Sequence, residues 1–164
     1  MSQNRGKQFE NVIRKAFESV PNVSIDRLHD QTNGFKGSQN ICDFIVYKEP
    51  YEYYIECKSV HGASLPFSNI TETQWNGLLE KSKIEGVFAG VICWFIDRDK
   101  TVFIPIQMLQ AMKNHNKKSI NHELITFVDA CGNGYCITII KGKKKRVFYE
   151  YNMEDFFNEV QSVR

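Results

Sequence analysis

Apolar side chains recur every three to four residues near the start of the chain, which is the period of an amphipathic helix. Pro21 ends the pattern, because proline cannot continue a helix. Glu10 borders the apolar stripe. The polar residues 22–41, which contain several glycines, then predict a loop or a short hairpin. The stripe consists of Phe9, Val12, Ile13, Ala16, Phe17 and Val20.

Two runs rich in β-branched and aromatic residues come next and predict an antiparallel hairpin. They are residues 41–47 and 53–60, joined by a turn that contains Pro50. A helical pattern with an apolar face follows over residues 71–84, and Gly86 ends it. The pattern therefore places one hairpin and one helix in the first half of the chain.

Residues 87–97 are almost continuously apolar, which is typical of a strand buried on both faces. The pattern then predicts a partner strand, a short helix opened by Pro105, two further strands and a final helix capped by Asn152. Those strands cover residues 101–106, 135–140 and 147–151. Together these elements predict a single α/β domain over residues 1–164, with a mixed sheet flanked by helices.

Composition narrows the class of protein. The 164 residues, 42% of them hydrophobic, suffice for one domain with a real core and argue against disorder. No apolar run reaches the roughly 18 residues of a membrane span, and the first ten residues lack a signal-peptide core. Five cysteines without CxxC spacing argue against a disulfide framework or a zinc knuckle. We therefore expect a protein of the cytoplasm without a membrane partner.

Charge is patterned although the net value is only +2. This balance excludes a uniformly basic, histone-like binder, but two local clusters remain that could attract phosphates. The alternative is a solvated turn between two strands. The tighter cluster is Lys141, Lys143, Lys144, Lys145 and Arg146, and the looser one is Lys113, Lys117 and Lys118.

Three charged residues of the predicted hairpin point to chemistry. Side chains alternate along a strand, so Glu56 and Lys58 share one face, and Asp43 on the neighbouring strand can meet them. Two carboxylates suit Mg²⁺, and an adjacent ammonium can orient a water or offset negative charge. The alternative is an ordinary Glu–Lys pair on a strand. Against it, Asp43 interrupts an otherwise apolar run, where acidic residues seldom lack a partner.

The spacing Asp43-x12-Glu56-x-Lys58 resembles the PD-(D/E)xK nuclease motif. Its surroundings resemble the RecU-type Holliday junction resolvases, particularly the short phage-encoded ones. The similar segments occur in the family's order. They are Asn4-Arg5-Gly6-Lys7 with Phe9-Glu10, Cys42-Asp43-Phe44-Ile45, Ile55-Glu56-Cys57-Lys58-Ser59, and Leu65-Pro66-Phe67 with Asn69-Ile70 and Gln74.

This resemblance implies a restriction-endonuclease-like fold and a homodimer that cleaves branched DNA with Mg²⁺. Mn²⁺ is a possible substitute, no other small-molecule cofactor is implied, and a phage-encoded enzyme would act in the host cytoplasm. Asp43, Glu56 and the carbonyl of Cys57 would bind the metal, and Lys58 would assist the attacking water. Glu10 and Gln74 would lie behind these groups. Gln74 also completes a Thr71-x-x-Gln74 capping box, and both roles stay open.

Basic residues outside this motif are candidates for DNA contact. Arg5 and Lys7 could meet phosphates at the first helix, or they could belong to a frayed terminus. Residues 22–41 are too short for the stalk of cellular RecU proteins, which is implicated in recognising the junction centre. A less selective nuclease of the same fold is therefore one alternative. A non-catalytic DNA-binding accessory protein is the other. The full set of candidates is Arg5, Lys7, Arg27, Lys36, Lys143, Lys144, Lys145 and Arg146.

Overall fold

The computed structural model describes residues 2–28 and 40–162, with side chains from residue 5 onward. Within these residues the chain forms helices and strands in the alternating order expected of an α/β protein. The helices are α1 (Ser2–Glu18), α2 (Glu72–Lys81), α3 (Ile106–Asn114) and α4 (Met153–Ser162). The strands are β1 (Ser24–Arg27), β2 (Phe44–Lys48), β3 (Tyr51–Val60), β4 (Ser64–Pro66), β5 (Val87–Phe95), β6 (Lys100–Pro105), β7 (Ser119–Asn121), β8 (Thr126–Val128), β9 (Gly134–Cys136), β10 (Thr138–Ile139), β11 (Gly142–Lys144) and β12 (Tyr149–Tyr151).

A six-stranded mixed sheet forms the centre of the structure, in the order β1-β2-β3-β5-β6-β10. Strands β3 and β5 run parallel, and the other neighbours in this sheet are antiparallel. The middle of β5 is buried from Ala89 to Phe95, as its continuous apolar sequence predicted. Three two-stranded ribbons, β4-β7, β8-β9 and β11-β12, accompany the sheet.

Helices cover both faces of the sheet, and β3 divides its side chains between them. Tyr53, Ile55 and Cys57 face the core layer built by α1 and α4. Tyr54 and Val60 face the layer built by α2 and α3. A fully buried side chain of this size stabilises the fold by about 1.5–3 kcal/mol, so both layers hold β3 in place. Glu56 has the same parity as Tyr54 and therefore faces the α2 and α3 side.

Several details differ from the sequence predictions. Residues 22–41 contain strand β1, which pairs with β2 through Asp26↔Ile45. Because β1 is a half-exposed edge strand, it has no apolar run that would reveal it. Strand β2 begins at Phe44, so Asp43 precedes the strand instead of interrupting it. Lys36 lies outside the described residues.

Two further segments differ from the prediction. Helix α2 ends at Lys81 and not at residue 84. The amides of Lys83 and Ile84 bond to the carbonyls of Glu80 and Lys81, three residues back, so the chain continues there in tight turns. The basic run contains strand β11, paired with β12, so it is not merely a turn. All five cysteines are free. Among the described residues, no helix is long and apolar enough to cross a membrane.

Candidate active site

Asp43 is held at the point where strand β2 separates from β3. Its amide donates to the carbonyl of Ile55 (3.0 Å), and its carbonyl accepts from the amide of Leu28 (2.9 Å). The register Phe44↔Ile55 places Asp43 opposite Glu56. Beyond this point the Asp43 side chain replaces the backbone of β2 as the hydrogen-bond acceptor for β3, since its Oδ2 accepts a 2.7 Å hydrogen bond from the amide of Cys57. Backbone contacts on both sides thus fix the carboxylate.

Glu56 is buried, with 3% of its surface exposed. Its Oε1 accepts from Nε2 of Gln74 at 2.7 Å and lies 2.8 Å from Nζ of Lys58. Its Oε2 is also buried and receives no hydrogen bond while both carboxyl groups are ionised, although the Asp43 carboxyl is near enough to share a proton with Glu56. A buried polar atom without a hydrogen bond costs about 1–3 kcal/mol of folding stability. The site therefore holds an acceptor that a ligand could use.

Burial and mutual repulsion shape the electrostatics of the two acids. The pKa of Asp43 is raised, mainly by burial and then by the charge of Glu56, and the Cys57 amide only partly offsets this. The pKa of Glu56 is also raised by burial, with Lys58 acting in the opposite direction. Two charges of one sign at one buried point are unfavourable, and a bound cation would relieve them.

Gln74 connects helix α2 to the acids. Thr71 is the N-cap residue: its Oγ1 accepts from the Gln74 amide at 3.2 Å, and Oε1 of Gln74 accepts from the Thr71 amide at 3.0 Å. This is the predicted capping box. The other end of the same side-chain amide donates to Glu56. Capping and contact with the site therefore occur together.

Glu10 approaches the same acids from helix α1. Its Oε2 accepts a 3.0 Å hydrogen bond from Nη2 of Arg27, on edge strand β1. The pair is partly exposed, and the negative charge of Glu10 adds to the repulsion at Asp43 and Glu56. Sequence reasoning assigned Arg27 only to DNA, and the ion pair with Glu10 was not predicted because β1 itself was missed.

The donor set fits a hard divalent cation. Within residues 2–28 and 40–162, no group of three or more His, Cys, Asp or Glu side chains is arranged to hold a metal. Mg²⁺, however, commonly takes one or two carboxylates and completes its shell with waters and phosphate oxygens. Asp43, the unpaired Oε2 of Glu56 and a backbone carbonyl would supply three oxygens. The carbonyl of Cys57 points to the same edge as its amide, past the end of β2.

Comparison with known proteins agrees with this geometry. The model of the family RecU, described as "Recombination protein U", matches residues 4–141. The chain belongs to the RecU family. A solved structure of Hjc, a Holliday junction resolvase from Archaeoglobus fulgidus, is similar with a TM-score of 0.51 and 17% identity, covering 70% of this chain and 85% of Hjc. Among curated proteins, none matches the chain. The restriction-endonuclease-like fold expected from the sequence is confirmed.

The DNA-binding candidates of this RecU-family chain lie on different elements, and Arg27 is paired with Glu10 beside the acids. Lys7 is exposed on α1, and Arg5 contacts His61 with 3.4 Å between Nη1 and Nε2. Residues 143–146 lie on the β11-β12 ribbon, which packs on α1 through Tyr151 and Phe9. Lys144 is paired with Asp99 and Lys145 with Glu150, so part of that positive charge is already neutralised.

One polar contact near the site was missed in the sequence of this RecU-family member. His61 lies directly after β3, and its Nδ1 is hydrogen-bonded to Oδ1 of Asp97 at 2.9 Å. The other Asp97 oxygen, Oδ2, accepts from the amide of Gly62. Parallel pairing of Val60 with Phe95 brings these residues together. The only available signal was the polar residue that ends the apolar run of β5, and the sequence did not show which strand lies beside it.

Proposed function

We propose that this RecU-family chain is a metal-dependent endonuclease that cleaves four-way DNA junctions in recombination and repair. Membership of the family and a fold shared with a Holliday junction resolvase support this proposal. The observation that carries it is the pair of adjacent acids, the half-buried Asp43 and the buried Glu56, in which one Glu56 oxygen lacks a hydrogen-bond donor beside the ammonium of Lys58.

The residues present divide the work of phosphodiester hydrolysis. Mg²⁺ bound by Asp43, Glu56 and the Cys57 carbonyl would polarise the scissile phosphate and help to generate hydroxide near neutral pH. Lys58 is held 2.8 Å from Glu56, where its ammonium can orient the attacking water and offset negative charge in the transition state. Gln74 keeps the Glu56 carboxylate in one orientation through its 2.7 Å hydrogen bond. The site is therefore organised before substrate arrives.

A homodimer is the assembly that suits this substrate. A two-fold symmetric protein presents one site to each of two symmetry-related strands of a four-way junction. Recognition would rest on phosphate contacts and branch shape, since DNA backbone contacts position a protein without reading sequence. Five free cysteines agree with action in a reducing cytoplasm.

The test is cleavage of labelled four-way junctions with Mg²⁺, with Mn²⁺ and with a chelator. Replication forks and linear duplexes serve as comparison substrates. We expect paired nicks at symmetric positions of the junction, and no cleavage in chelator. Asp43→Asn, Glu56→Gln and Lys58→Ala should each abolish cleavage and leave junction binding largely intact.

Three results would change the proposal. Equal cleavage of junctions and linear duplexes would indicate a less selective nuclease of the same fold. Junction binding without cleavage under any metal condition would indicate an accessory protein. Wild-type rates in Lys58→Ala would refute the role assigned to that ammonium.

A further inference from the structure

A basic cleft lies beside helix α2 and is not part of the carboxylate site. It has a volume of about 740 Å³ and is open to solvent. Three lysines on one wall carry its positive charge, and Glu72 is the carboxylate that lines it. We call it the α2–α3 cleft, and its basic wall consists of Lys113, Lys117 and Lys118.

The backbone holds the basic wall in a fixed position. Just after the end of helix α3, Asn116 has the left-handed conformation (φ 59°). The amide of Lys117 then bonds to the carbonyl of Met112, in the last turn of the helix, at 3.0 Å. This is a Schellman-type helix end. The carbonyl of Lys118 then accepts from the amide of Phe67 at 2.9 Å, which ties the turn to the opposite wall. The ammonium groups thus extend from a well-anchored backbone.

These lysines are more available to an anion than the longer basic run. Within the described part of the chain, none of the three lies within 4.0 Å of a carboxylate as a salt bridge. In the β11-β12 ribbon, Lys144 and Lys145 each have such a partner. Lysines at a helix C-terminus also stabilise the helix dipole, but Lys117 and Lys118 lie beyond the last turn of α3.

The chemistry of the cleft favours phosphate over a stacked base. Two aromatic side chains line the cleft, Phe67 and Trp75, but they are only 9% and 4% exposed, and the ammonium of Lys113 lies over the Trp75 ring at 4.5 Å. The indole N–H of Trp75 is already bonded to Gln110 at 2.7 Å. A base could not reach the ring without displacing the lysine, whereas a phosphate needs only the exposed ammonium groups.

Helix α2 lies between the cleft and the carboxylate site. Gln74 points to Glu56 from one flank, and Glu72 and Asn76 line the cleft on the other flank. A helix with its side chains is about 10–12 Å across. The major groove of a duplex is about 12 Å wide. A duplex arm whose one strand lies at the acids can therefore bring the phosphates of its other strand to the cleft.

From this placement we infer that the α2–α3 cleft binds the sugar-phosphate backbone of a DNA arm, across a groove from the scissile strand. The inference rests on the proposed function, because it takes the carboxylate site as the place of cleavage. Lys117 and Lys118 make the contacts, and each should add one neutralised phosphate.

The experiment measures junction affinity against salt concentration in chelator, so that no cleavage occurs. The variant is Lys117→Gln/Lys118→Gln. The control is Lys15→Gln/Arg98→Gln, which removes the same charge from exposed positions elsewhere that, among the described residues, also lack a salt bridge. We expect the slope of log affinity against log salt to fall by about 1.8, at roughly 0.9 per contact, in the first variant only. Between 50 and 200 mM salt, wild type should then lose roughly 12-fold more affinity than this variant.

A second measurement uses the unmodified protein. Amine acetylation read by mass spectrometry should show Lys117 and Lys118 protected by a bound junction, with Lys83 unprotected as the reference. Equal slopes for variant and control, or unprotected lysines, would overturn the inference and leave the cleft to an acidic protein partner. A reduced slope without any cleavage by wild type in Mg²⁺ would support the cleft and refute the nuclease proposal. Wild type without affinity for DNA would overturn both.

Discussion

The N-cap of helix α2 and the contact of Gln74 with the site can be separated by mutation. Oε1 of Gln74 accepts from the Thr71 amide in the cap and also from Nζ of Lys58 at 3.4 Å, and Nε2 donates to Glu56 in the site. Thr71→Ala removes the capping hydroxyl and leaves the contact with Glu56. Gln74→Ala removes the contact with Glu56 and the other half of the cap. The pair of variants therefore distinguishes a structural role from a role in the site.

The structure sets the expected sizes. Loss of an N-cap hydroxyl costs about 0.5–2 kcal/mol of stability. Gln74→Ala loses one exposed hydrogen bond, about 0.5–1.5 kcal/mol, and one to a buried carboxylate, about 1.5–3 kcal/mol; the third bond, from Lys58, is long at 3.4 Å and adds little. We therefore expect roughly 1 kcal/mol for Thr71→Ala and about 2–4 kcal/mol for Gln74→Ala. If the Glu56 contact serves catalysis, its loss should slow cleavage roughly tenfold to hundredfold.

Urea unfolding gives the free energies, and single-turnover cleavage of a four-way junction in Mg²⁺ gives the rates. Thr71→Ala should cleave at the wild-type rate under conditions where it is folded. Gln74→Ala should be slow even where unfolding is negligible. Equal rates for the two variants would show that Gln74 is a helix cap alone, and that the orientation of Glu56 depends on Lys58 instead.

Three further predictions address the electrostatics. Without divalent cation, the melting temperature should fall as pH rises from about 5 to 8. The raised pKa values of Asp43 and Glu56 mean that the folded chain binds more protons than the unfolded chain above pH 4, so stability is lost as pH rises toward the folded pKa values. Mg²⁺ should then raise the melting temperature more at pH 8 than at pH 6. Glu56→Gln should reduce both the pH dependence and the response to Mg²⁺. Scanning fluorimetry measures the melting temperatures, and a pH-independent response to Mg²⁺ would contradict this prediction. Arg27→Ala should cost less than about 1 kcal/mol in urea unfolding, because its pair with Glu10 is partly exposed. The same variant should lower the salt slope of junction binding by about 0.9 if Arg27 meets a phosphate, and an unchanged slope would confine it to positioning Glu10. In the basic run, Lys143→Gln should weaken junction binding more than Lys144→Gln, because Lys144 is already paired with Asp99; the reverse order in a binding titration would contradict this ranking.

Short-range pattern was sufficient for the parts of the fold with strong periodicity. The apolar stripe of α1 and the unbroken apolar run of β5 both occupy the predicted core positions. The meeting of Asp43 with Glu56 and Lys58 also followed from strand alternation and a hairpin. These features depend on neighbours close in sequence, which is why they could be predicted.

Features that depend on distant pairing could not be predicted. Strand β1 is half exposed and acquires its structure from β2, so its own sequence carries little signal. The contact between His61 and Asp97 requires the parallel pairing of β3 with β5, which no local pattern specifies. The neutralisation of Lys144 by Asp99 joins residues 45 positions apart. A run of basic residues in sequence therefore overstated the positive charge available on the surface.

The carboxylate site lowers the free energy of unfolding, and interactions in the rest of the chain must offset this loss. An unpaired buried oxygen costs about 1–3 kcal/mol, and a domain of this kind has only about 5–15 kcal/mol of net stability. An apolar residue at position 56 would remove that cost while still filling the layer beneath α2. The acid nevertheless receives two hydrogen-bonding partners that orient it and leave one oxygen unused. Such an arrangement is explained if the unused oxygen acquires its partner from outside the chain, since ligand binding then returns the stability that burial removed.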